Sequence, residues 1–284
     1  MSSSVFLARP LGSLLLAVAL ATPAFAAAAQ QRDPVAPVDA PAPRERVPLL
    51  QKKDLATLGW MLLATAATMP FDRTIAHEFA DSSLQANRTY RRAVDHLTTI
   101  HERSLFVYSA IGYAGGLLFR SAPVADAGLH SAEAIAVGTV IGSFLKSTVG
   151  RARPRAADGD PFDFRFAKGY TSGEYRSFPS LHEIGSFAAA SAITSEVARH
   201  NPGAGRVVGV VAYGGAGLVG LARMYSAQHW ASDVVLGSAM GVMIGRRIVA
   251  HAHSGEPNSL DRFLLGGLAA DANGMRVELY SKDF

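Results

Sequence analysis

The chain has 284 residues, of which 49% are hydrophobic and 18% are charged, and its formal net charge is +4. It is more apolar than an average soluble domain, and its mild positive charge forms no basic run, which argues against a nucleic-acid partner. The absence of cysteine excludes disulfides, thiolate catalysis and zinc–thiolate sites.

Residues 1–26 have the features of a signal peptide. Arg9 precedes an apolar run that is too short to span a bilayer, and Ala24 and Ala26 suit cleavage after Ala26. An uncleaved membrane anchor is the alternative interpretation. The proline-rich segment 27–48 is expected to be an extended linker. These features predict export to the bacterial cell envelope, on the periplasmic side.

The body of the chain, residues 49–253, predicts an all-α helical bundle of about six core helices. Its apolar stretches lack strict alternation and most are too long for ordinary strands. They cover approximately 54–71, 104–119, 128–149, 182–198, 206–222 and 228–250. The polar region 73–103 predicts one or two amphipathic helices. A group of glycines is expected to let helices approach closely, namely Gly214, Gly215, Gly217 and Gly220.

The sequence leaves open whether these helices are transmembrane. A spanning helix needs about 20 apolar residues, and most uninterrupted charge-free runs are shorter, although the interrupting charges lie near segment ends. We favour association with the inner membrane over a soluble periplasmic protein. The tail, residues 254–284, predicts a small C-terminal β-hairpin, because Asn273-Gly274 separates two candidate strands.

The first candidate functional cluster is "KSTVGRARP". Lys146, Gly150 and Arg153 are expected to share one helical face, and Pro154 is expected to end the helix at Arg153. Arg151 and Arg155 lie off that face. Two cations at a helix C-terminus are electrostatically favourable, but a basic helix end at a membrane surface would show the same pattern.

The second cluster is "SFPSLHEIGSF". Ser180 and Glu183 match a capping box before an apolar run, which would place His182 in the first helical turn, where backbone N–H groups attract anions. A capped helix with a surface histidine is the simpler interpretation of this stretch in isolation.

The third cluster is "ARMYSAQHWASD". Arg223 is suited to grip two phosphate oxygens, and His229 and Asp233, four residues apart, can form a hydrogen bond within one helical turn. Such a carboxylate would fix the imidazole tautomer and leave the other nitrogen free to attack.

In this order and spacing the three clusters resemble the signature of the type 2 phosphatidic acid phosphatases, a superfamily shared with bacterial acid phosphatases and vanadium haloperoxidases. The resemblance covers roughly residues 134–245. It implies an α-helical bundle with the site at one end, often with six spanning helices, and a metal-independent phosphatase with no cofactor.

The resemblance also implies residue roles. His229 would be the nucleophile that forms a phosphohistidine, Asp233 would orient it, and His182 would protonate the leaving group. The phosphate-binding residues would be Lys146, Arg153, Ser180, Leu181 and Arg223. The family usually has glycine in place of Leu181 and serine in place of Ala222, and Glu183 adds a carboxylate near an anion site. These departures raise the alternative of an inactive structural relative.

The expected substrate is a lipid phosphate or diphosphate, with no nucleic-acid partner. Between the first two clusters lies "FDFRFAKGYTSGEYRSF", an aromatic and basic loop suited to cover the site or contact a lipid headgroup, although an ordinary packed connection fits equally well. Two alternatives are a soluble periplasmic acid phosphatase acting on small phosphomonoesters and a vanadate-dependent haloperoxidase. The remaining histidines lie in no motif: His77, His96, His101, His130, His200, His251 and His253.

Overall fold

The structure is a computed structural model that describes residues 51–254 and, beyond them, the two short segments 268–271 and 274–277. The predicted signal peptide and the whole of the predicted linker lie outside the described residues, as does most of the tail. The division of the chain into these parts therefore stays a prediction.

The described part of the chain is a helical bundle, as predicted. In chain order its helices are α1 (Lys52–Thr68), α2 (Asp72–Phe79), α3 (Ser82–Ala86), α4 (Arg88–Leu97), α5 (Glu102–Leu118), α6 (Ala122–Val149), α7 (Leu181–His200), α8 (Pro202–Tyr225) and α9 (Ala231–Ala252). Helices α1 and α5 to α9 correspond to the six predicted core helices, with shifted ends. The polar region 73–103 forms the short helices α2 to α4.

Helix α7 lies at the centre of the bundle. It packs against α6, α8 and α9 along most of its length and against α5 at one end, whereas α1 packs on the outer side of α9. Ile184, Ala188 and Ala192 of α7 are fully buried and join Ile244 of α9 and Ala134 of α6 in the main hydrophobic cluster. A helix that is apolar on several faces is favoured in such a central position.

Glycines on α9 set how closely it approaches α7. Gly237, Gly241 and Gly245 recur every four residues and therefore share one helical face. A Cβ at Gly241 would lie 2.6 Å from the Ile184 carbonyl oxygen, and one at Gly245 would lie 2.5 Å from the Ala188 carbonyl oxygen. The two backbones are thus in direct contact, which a larger side chain would prevent.

The glycines that the sequence singled out on α8 mostly do not have this function. A Cβ added at Gly214, Gly215 or Gly217 would meet no atom within 4 Å, so that part of the prediction is wrong. Of these four glycines, only Gly220 is closely packed, because an added Cβ there would lie 3.0 Å from the Glu183 carboxyl group. Glycine content alone could not separate an inward from an outward face.

Four helices have one of their termini at the same end of the bundle. Helices α6 and α8 end there and α7 and α9 begin there, because successive helices in this part of the chain run antiparallel. Residues 150–180 connect α6 to α7 at this end and include three short 3-10 turns, Pro154–Ala156, Lys168–Tyr170 and Gly173–Tyr175. Another 3-10 turn, Met69–Phe71, links α1 to α2.

Three helices, α6, α8 and α9, are long and apolar enough to cross a membrane. The outer surface of the bundle also exposes large apolar side chains. Trp60 on α1 is 71% exposed, Val210 on α8 is 77% exposed and Leu118 at the end of α5 is 77% exposed. Many large exposed apolar side chains on long apolar helices are typical of a surface that contacts a membrane or another protein.

Two four-residue strands, Leu268–Asp271 and Gly274–Val277, pair antiparallel in the tail. A two-stranded hairpin by itself is at best marginally stable in water. The predicted C-terminal hairpin therefore stays a prediction.

Candidate phosphate-binding site

A glycine ends α6 earlier than the sequence suggested. Gly150 has a φ of +63°, and a Cβ there would lie 1.9 Å from the Arg165 carbonyl oxygen, so the chain turns sharply after Val149. Arg153 is consequently in extended backbone ahead of a 3-10 turn. The prediction that Lys146, Gly150 and Arg153 share one helical face, with Pro154 ending the helix, is wrong.

The turn nevertheless leaves the two cations in electrostatic contact. Lys146 is buried in the last turn of α6, and its charge interacts with those of Arg153 and Arg223. The Arg153 guanidinium donates to the Gly173 carbonyl oxygen over 3.1 Å and is also held by the Gln228 side chain. Gln228 was not anticipated from the sequence.

The start of α7 differs from the predicted capping box. Ser180 is the N-cap residue, but its hydroxyl makes no capping hydrogen bond, and Glu183 is buried within the bundle, where it accepts a hydrogen bond from the Ser238 hydroxyl over 3.1 Å. The prediction of a capping box is therefore wrong. His182 does lie in the first turn of α7, as expected.

His229 lies just before α9 rather than within it. Helix α9 begins at Ala231, so the i, i+4 geometry of a helix does not apply to His229 and Asp233. The His229 Nδ1 atom is 3.7 Å from the Asp233 Oδ2 atom, which is longer than a hydrogen bond. The predicted direct bond is not made in this structure, although the carboxylate does face the ring.

Asp233 is instead held by three other donors. Its Oδ2 atom accepts hydrogen bonds from the Ser177 hydroxyl over 2.6 Å and from the Trp230 backbone N–H over 2.8 Å. Its Oδ1 atom accepts a hydrogen bond from the Arg151 guanidinium over 2.6 Å. The carboxylate is fully buried, so this network fixes its position beside His229.

Arg151 is the most important residue that sequence reasoning did not assign. Its side chain is fully buried and also donates to Asp72 of α2 over 2.7 Å and to the Ser232 hydroxyl over 2.7 Å. The Asp72 carboxylate in turn accepts from the Ser232 backbone and hydroxyl. No local pattern could have revealed this network, because Asp72 lies 79 residues before Arg151.

The two site histidines are close to the three cations, and this lowers their pKa values. Burial, reinforced by Lys146 and Arg223, holds the pKa of His229 well below its usual value. Burial, reinforced by Arg223 and by His229 itself, lowers the pKa of His182 to about 2. Both imidazoles are therefore neutral in the free protein, which is the form that a nucleophilic nitrogen requires.

Several buried polar atoms of this site lack a hydrogen-bond partner within the described part of the chain. They include the Ser180 hydroxyl, the Arg223 Nε atom, the His229 Nδ1 atom and one carboxylate oxygen each of Glu102 and Glu183. An unpaired buried polar group costs free energy, so such groups are rare unless a ligand pairs with them. The Ser180 hydroxyl and the Arg223 Nε atom are hydrogen-bond donors beside a cluster of cations, which indicates a site for an anionic ligand.

The departures from the family signature are accommodated sterically. The Leu181 side chain packs into the α6–α7 interface, where a Cβ at Gly142 would lie 2.8 Å from it. It therefore points away from the site. Ala222 is buried, so its small side chain fills a position that has little space for a larger one. Burial raises the pKa of Glu183 to about 8, so this group is mostly uncharged at neutral pH.

The aromatic and basic loop folds back along the end of α6. Backbone hydrogen bonds join Arg165 to Gly150 and Ala167 to Thr148 over 2.8 and 2.7 Å. This anchored loop still exposes large aromatic side chains, with Phe166 84% exposed. It is both a packed connection and an exposed apolar surface beside the site.

Two further residues lie beside His182 that the sequence did not indicate. The Glu102 carboxylate at the start of α5 is 3.9 Å from the His182 Nδ1 atom, and the His101 and His182 ring centroids are 6.3 Å apart. The only available signal was their place at a predicted helix start, which is too common to assign a function.

Comparisons with known proteins agree with this fold and arrangement. The family model of the PAP2 superfamily, which is the type 2 phosphatidic acid phosphatase superfamily, matches residues 127–254 of this chain. That segment contains all the residues of the three sequence clusters.

A solved structure with the same fold is described as a transmembrane PAP2 type phosphatidylglycerolphosphate phosphatase from Bacillus subtilis. It shares 21% sequence identity with this chain, with a TM-score of 0.55, and the match covers 70% of this chain and 94% of that one. No curated protein matches this chain.

Proposed function

We propose that this protein is a metal-independent phosphatase that hydrolyses phosphate mono- or diphosphate esters through a phosphohistidine intermediate. The observation that carries the proposal is the meeting of two neutral imidazoles with three cationic side chains at one end of the bundle. The match of residues 127–254 to the PAP2 superfamily model supports a phosphoric ester hydrolase.

In the proposed reaction, His229 attacks the phosphorus atom through Nε2, since Nδ1 faces the Asp233 carboxylate at 3.7 Å. The P–N bond forms as the P–O bond of the ester breaks, and His182 passes a proton to the departing oxygen while it accepts one from the phosphate monoanion. Water then attacks the phosphohistidine with His182 as the base, and the P–N bond breaks to release phosphate and restore His229.

Lys146, Arg153 and Arg223 would stabilise the negative charge on the phosphoryl oxygens. Phosphoryl transfer requires little covalent chemistry from the protein beyond positioning and charge stabilisation, and preorganised cations in a buried site are effective for this. The Ser180 hydroxyl and the Arg223 Nε atom, which lack partners within the described residues, would pair with phosphoryl oxygens.

We propose a lipid phosphate of the cell envelope as the substrate and a position on the periplasmic side of the inner membrane. The exposed apolar surface of the bundle and the exposed aromatics of the loop beside the site support this choice. The structural neighbour is described as a phosphatidylglycerolphosphate phosphatase, which makes that lipid one member of a suitable test panel.

The proposal predicts that His229→Ala abolishes phosphate release from every lipid phosphate in such a panel, assayed in detergent without added metal. We expect a loss on the order of a thousandfold or more, because no other group can make the covalent bond. The exposed His96 on α4 provides the matched control, and His96→Ala should retain full activity.

Residual activity in His229→Ala close to that of the wild type would exclude the phosphohistidine route. Hydrolysis of small phosphomonoesters but of no lipid phosphate by the wild type would instead support an acid phosphatase.

A further inference from the structure

A second cluster of functional side chains lies at the end of the bundle opposite the phosphate-binding site. It consists of His130 from α6, Glu196 from α7 and His253 just after α9. Fifteen residues of α7 separate Leu181 from Glu196, which corresponds to about 22 Å along the helix axis. The proposed phosphatase reaction therefore does not use these residues.

Three helices bring these groups together in one place. The His130 Nδ1 atom lies 2.6 Å from the Glu196 Oε1 atom, and the His253 Nε2 atom lies 2.9 Å from the same oxygen. All the candidate ligand atoms lie within 4.8 Å of one another. The two imidazole rings approach edge to face with their centroids 5.3 Å apart, so both direct a nitrogen toward one carboxylate oxygen.

We propose that His130, Glu196 and His253 bind one divalent transition-metal ion, for which Zn²⁺ is the best-suited candidate. Two imidazole nitrogens and one carboxylate are a common three-residue ligand set for zinc. Ligand atoms around tetrahedral zinc are separated by about 3.4 Å, as follows from bond lengths of about 2.0–2.1 Å. The observed cluster needs only small side-chain shifts to reach that spacing.

Burial and charge at the cluster suit a bound cation. Glu196 is fully buried and His130 nearly so, whereas the His253 side chain is 22% exposed and leaves a path from solvent. Asp126, one turn before His130 on α6, interacts electrostatically with all three groups. Arg199 also faces the Glu196 carboxylate, with its Nε atom 3.9 Å from the Glu196 Oε2 atom, but its side chain is 46% exposed. The Glu196 and Asp126 carboxylates would offset the positive charge of the ion, and a solvent ligand could complete its coordination.

The competing interpretation is a hydrogen-bonded cluster in which both histidines donate to Glu196. It uses the same atoms, but each facing nitrogen would then carry a proton, whereas a metal ion requires its lone pair. The two arrangements therefore differ in a measurable property, the affinity for Zn²⁺.

The inferred metal would act as a structural link. The three ligands come from α6, α7 and the end of α9, so an ion there would tie these helices together at the end remote from the phosphate-binding site. A ligand that binds only the folded state raises the thermal midpoint. The site would therefore stabilise the bundle and take no part in phosphoryl transfer.

The experiment measures zinc content and thermal unfolding of the full chain in detergent after treatment with EDTA. On addition of Zn²⁺ we expect one ion per chain and a Tm increase of roughly 5 °C or more. His253→Gln and Glu196→Gln should each lower the affinity at least about tenfold. His96→Gln, which changes an exposed histidine on α4, should bind zinc as the wild type does.

Absence of stoichiometric zinc together with an unchanged Tm would overturn the proposal in favour of the hydrogen-bonded cluster. Equal zinc binding by His253→Gln and the wild type would overturn it as well. His253 is partly exposed at a helix end, so its replacement should fold even if Glu196→Gln does not. None of these readouts depends on phosphatase activity, so the two proposals can fail separately.

Discussion

The protonation state of His182 determines where the proton for the leaving group comes from. Burial and the neighbouring Arg223 lower the pKa of its ring to about 2, so the ring is neutral near physiological pH in the free protein. A phosphate monoester has a second pKa of about 6 and is a monoanion below that value. In the proposed reaction the monoanion therefore carries the proton that His182 relays to the departing oxygen.

This relay predicts a specific pH profile. Because neither His182 nor His229 titrates near neutrality in the free protein, kcat/KM should show no rising limb between about pH 4 and pH 6. Above about pH 6 it should fall by up to about tenfold per pH unit as the substrate loses its second proton. The measurement is kcat/KM from pH 4 to 9 on a short-chain, water-soluble lipid phosphate.

A comparison of leaving groups provides the control for this assignment. His182→Ala should lose about 10²–10⁴-fold in rate on an alkyl phosphate, whose leaving group needs a proton, and much less on nitrophenyl phosphate. Equal losses on the two substrates would contradict the role of His182, as would a rising limb with a midpoint near pH 6.5 in the wild type.

Among the helices, the contact between α7 and α9 depends on glycines at four-residue spacing. Gly241 illustrates the constraint, because an added Cβ would lie 2.6 Å from the Ile184 carbonyl oxygen and 2.8 Å from the Ala188 nitrogen. Backbone atoms cannot move aside as the end of a flexible side chain can. A methyl group at this position must therefore separate the two helices.

We expect Gly241→Ala to destabilise the protein by about 1–3 kcal/mol, the usual cost of overpacking a core. Gly215→Ala on α8 is the matched control, since a Cβ there meets no atom within 4 Å and alanine favours a helix over glycine by about 1 kcal/mol. Thermal unfolding of the two variants in detergent distinguishes these effects. A Gly241→Ala variant as stable as Gly215→Ala would refute the close contact.

The existence of the six long helices was predictable because each carries a long apolar stretch between polar breaks. The residues at which these helices begin and end were harder to predict from the sequence. Helix α6 stops at Val149 because Gly150 must adopt a positive φ against the Arg165 backbone, a contact between distant residues that no local pattern encodes.

The candidate site likewise has some residues that the sequence predicts and others that only the tertiary structure reveals. The choice of His182, His229 and the cations as candidates follows from the resemblance to the family signature, whereas the pairing of Arg151 with Asp72 and Asp233 is a product of tertiary structure. The capping-box pattern of Ser180 and Glu183 was misleading because burial of Glu183 in the bundle overrides the local preference. Motif spacing therefore identified candidate reactive groups but not the residues that hold them.

At the scale of the whole molecule, the bundle exposes apolar side chains over much of its side surface. Leu63 on α1, Val211 on α8 and Phe144 on α6 are each more than half exposed. Removal of such surface from water yields about 25 cal/mol per Å², so its coverage by lipid or detergent is strongly favoured. Together with three helices long enough to cross a bilayer, this surface suits a membrane protein.

We therefore expect the protein to sediment with membranes and to resist extraction by high salt or alkaline carbonate, but to be released by detergent. Fractionation of cells followed by immunoblotting provides the measurement. Release into the soluble periplasmic fraction without detergent would contradict this expectation and favour the acid phosphatase alternative.

The contacts that surround α7 have a consequence for how this scaffold can diversify. With α9 glycines against its backbone and Gly138 and Gly142 of α6 against Ile184, the central helix can neither slide nor rotate without a collision. We therefore expect changes of substrate on this scaffold to arise in the segment between α6 and α7, which connects directly to the helix that carries His182. Substitutions in that segment do not disturb the packing of α7 against α6 and α9. Variant libraries that aim to alter substrate selectivity are therefore best concentrated there.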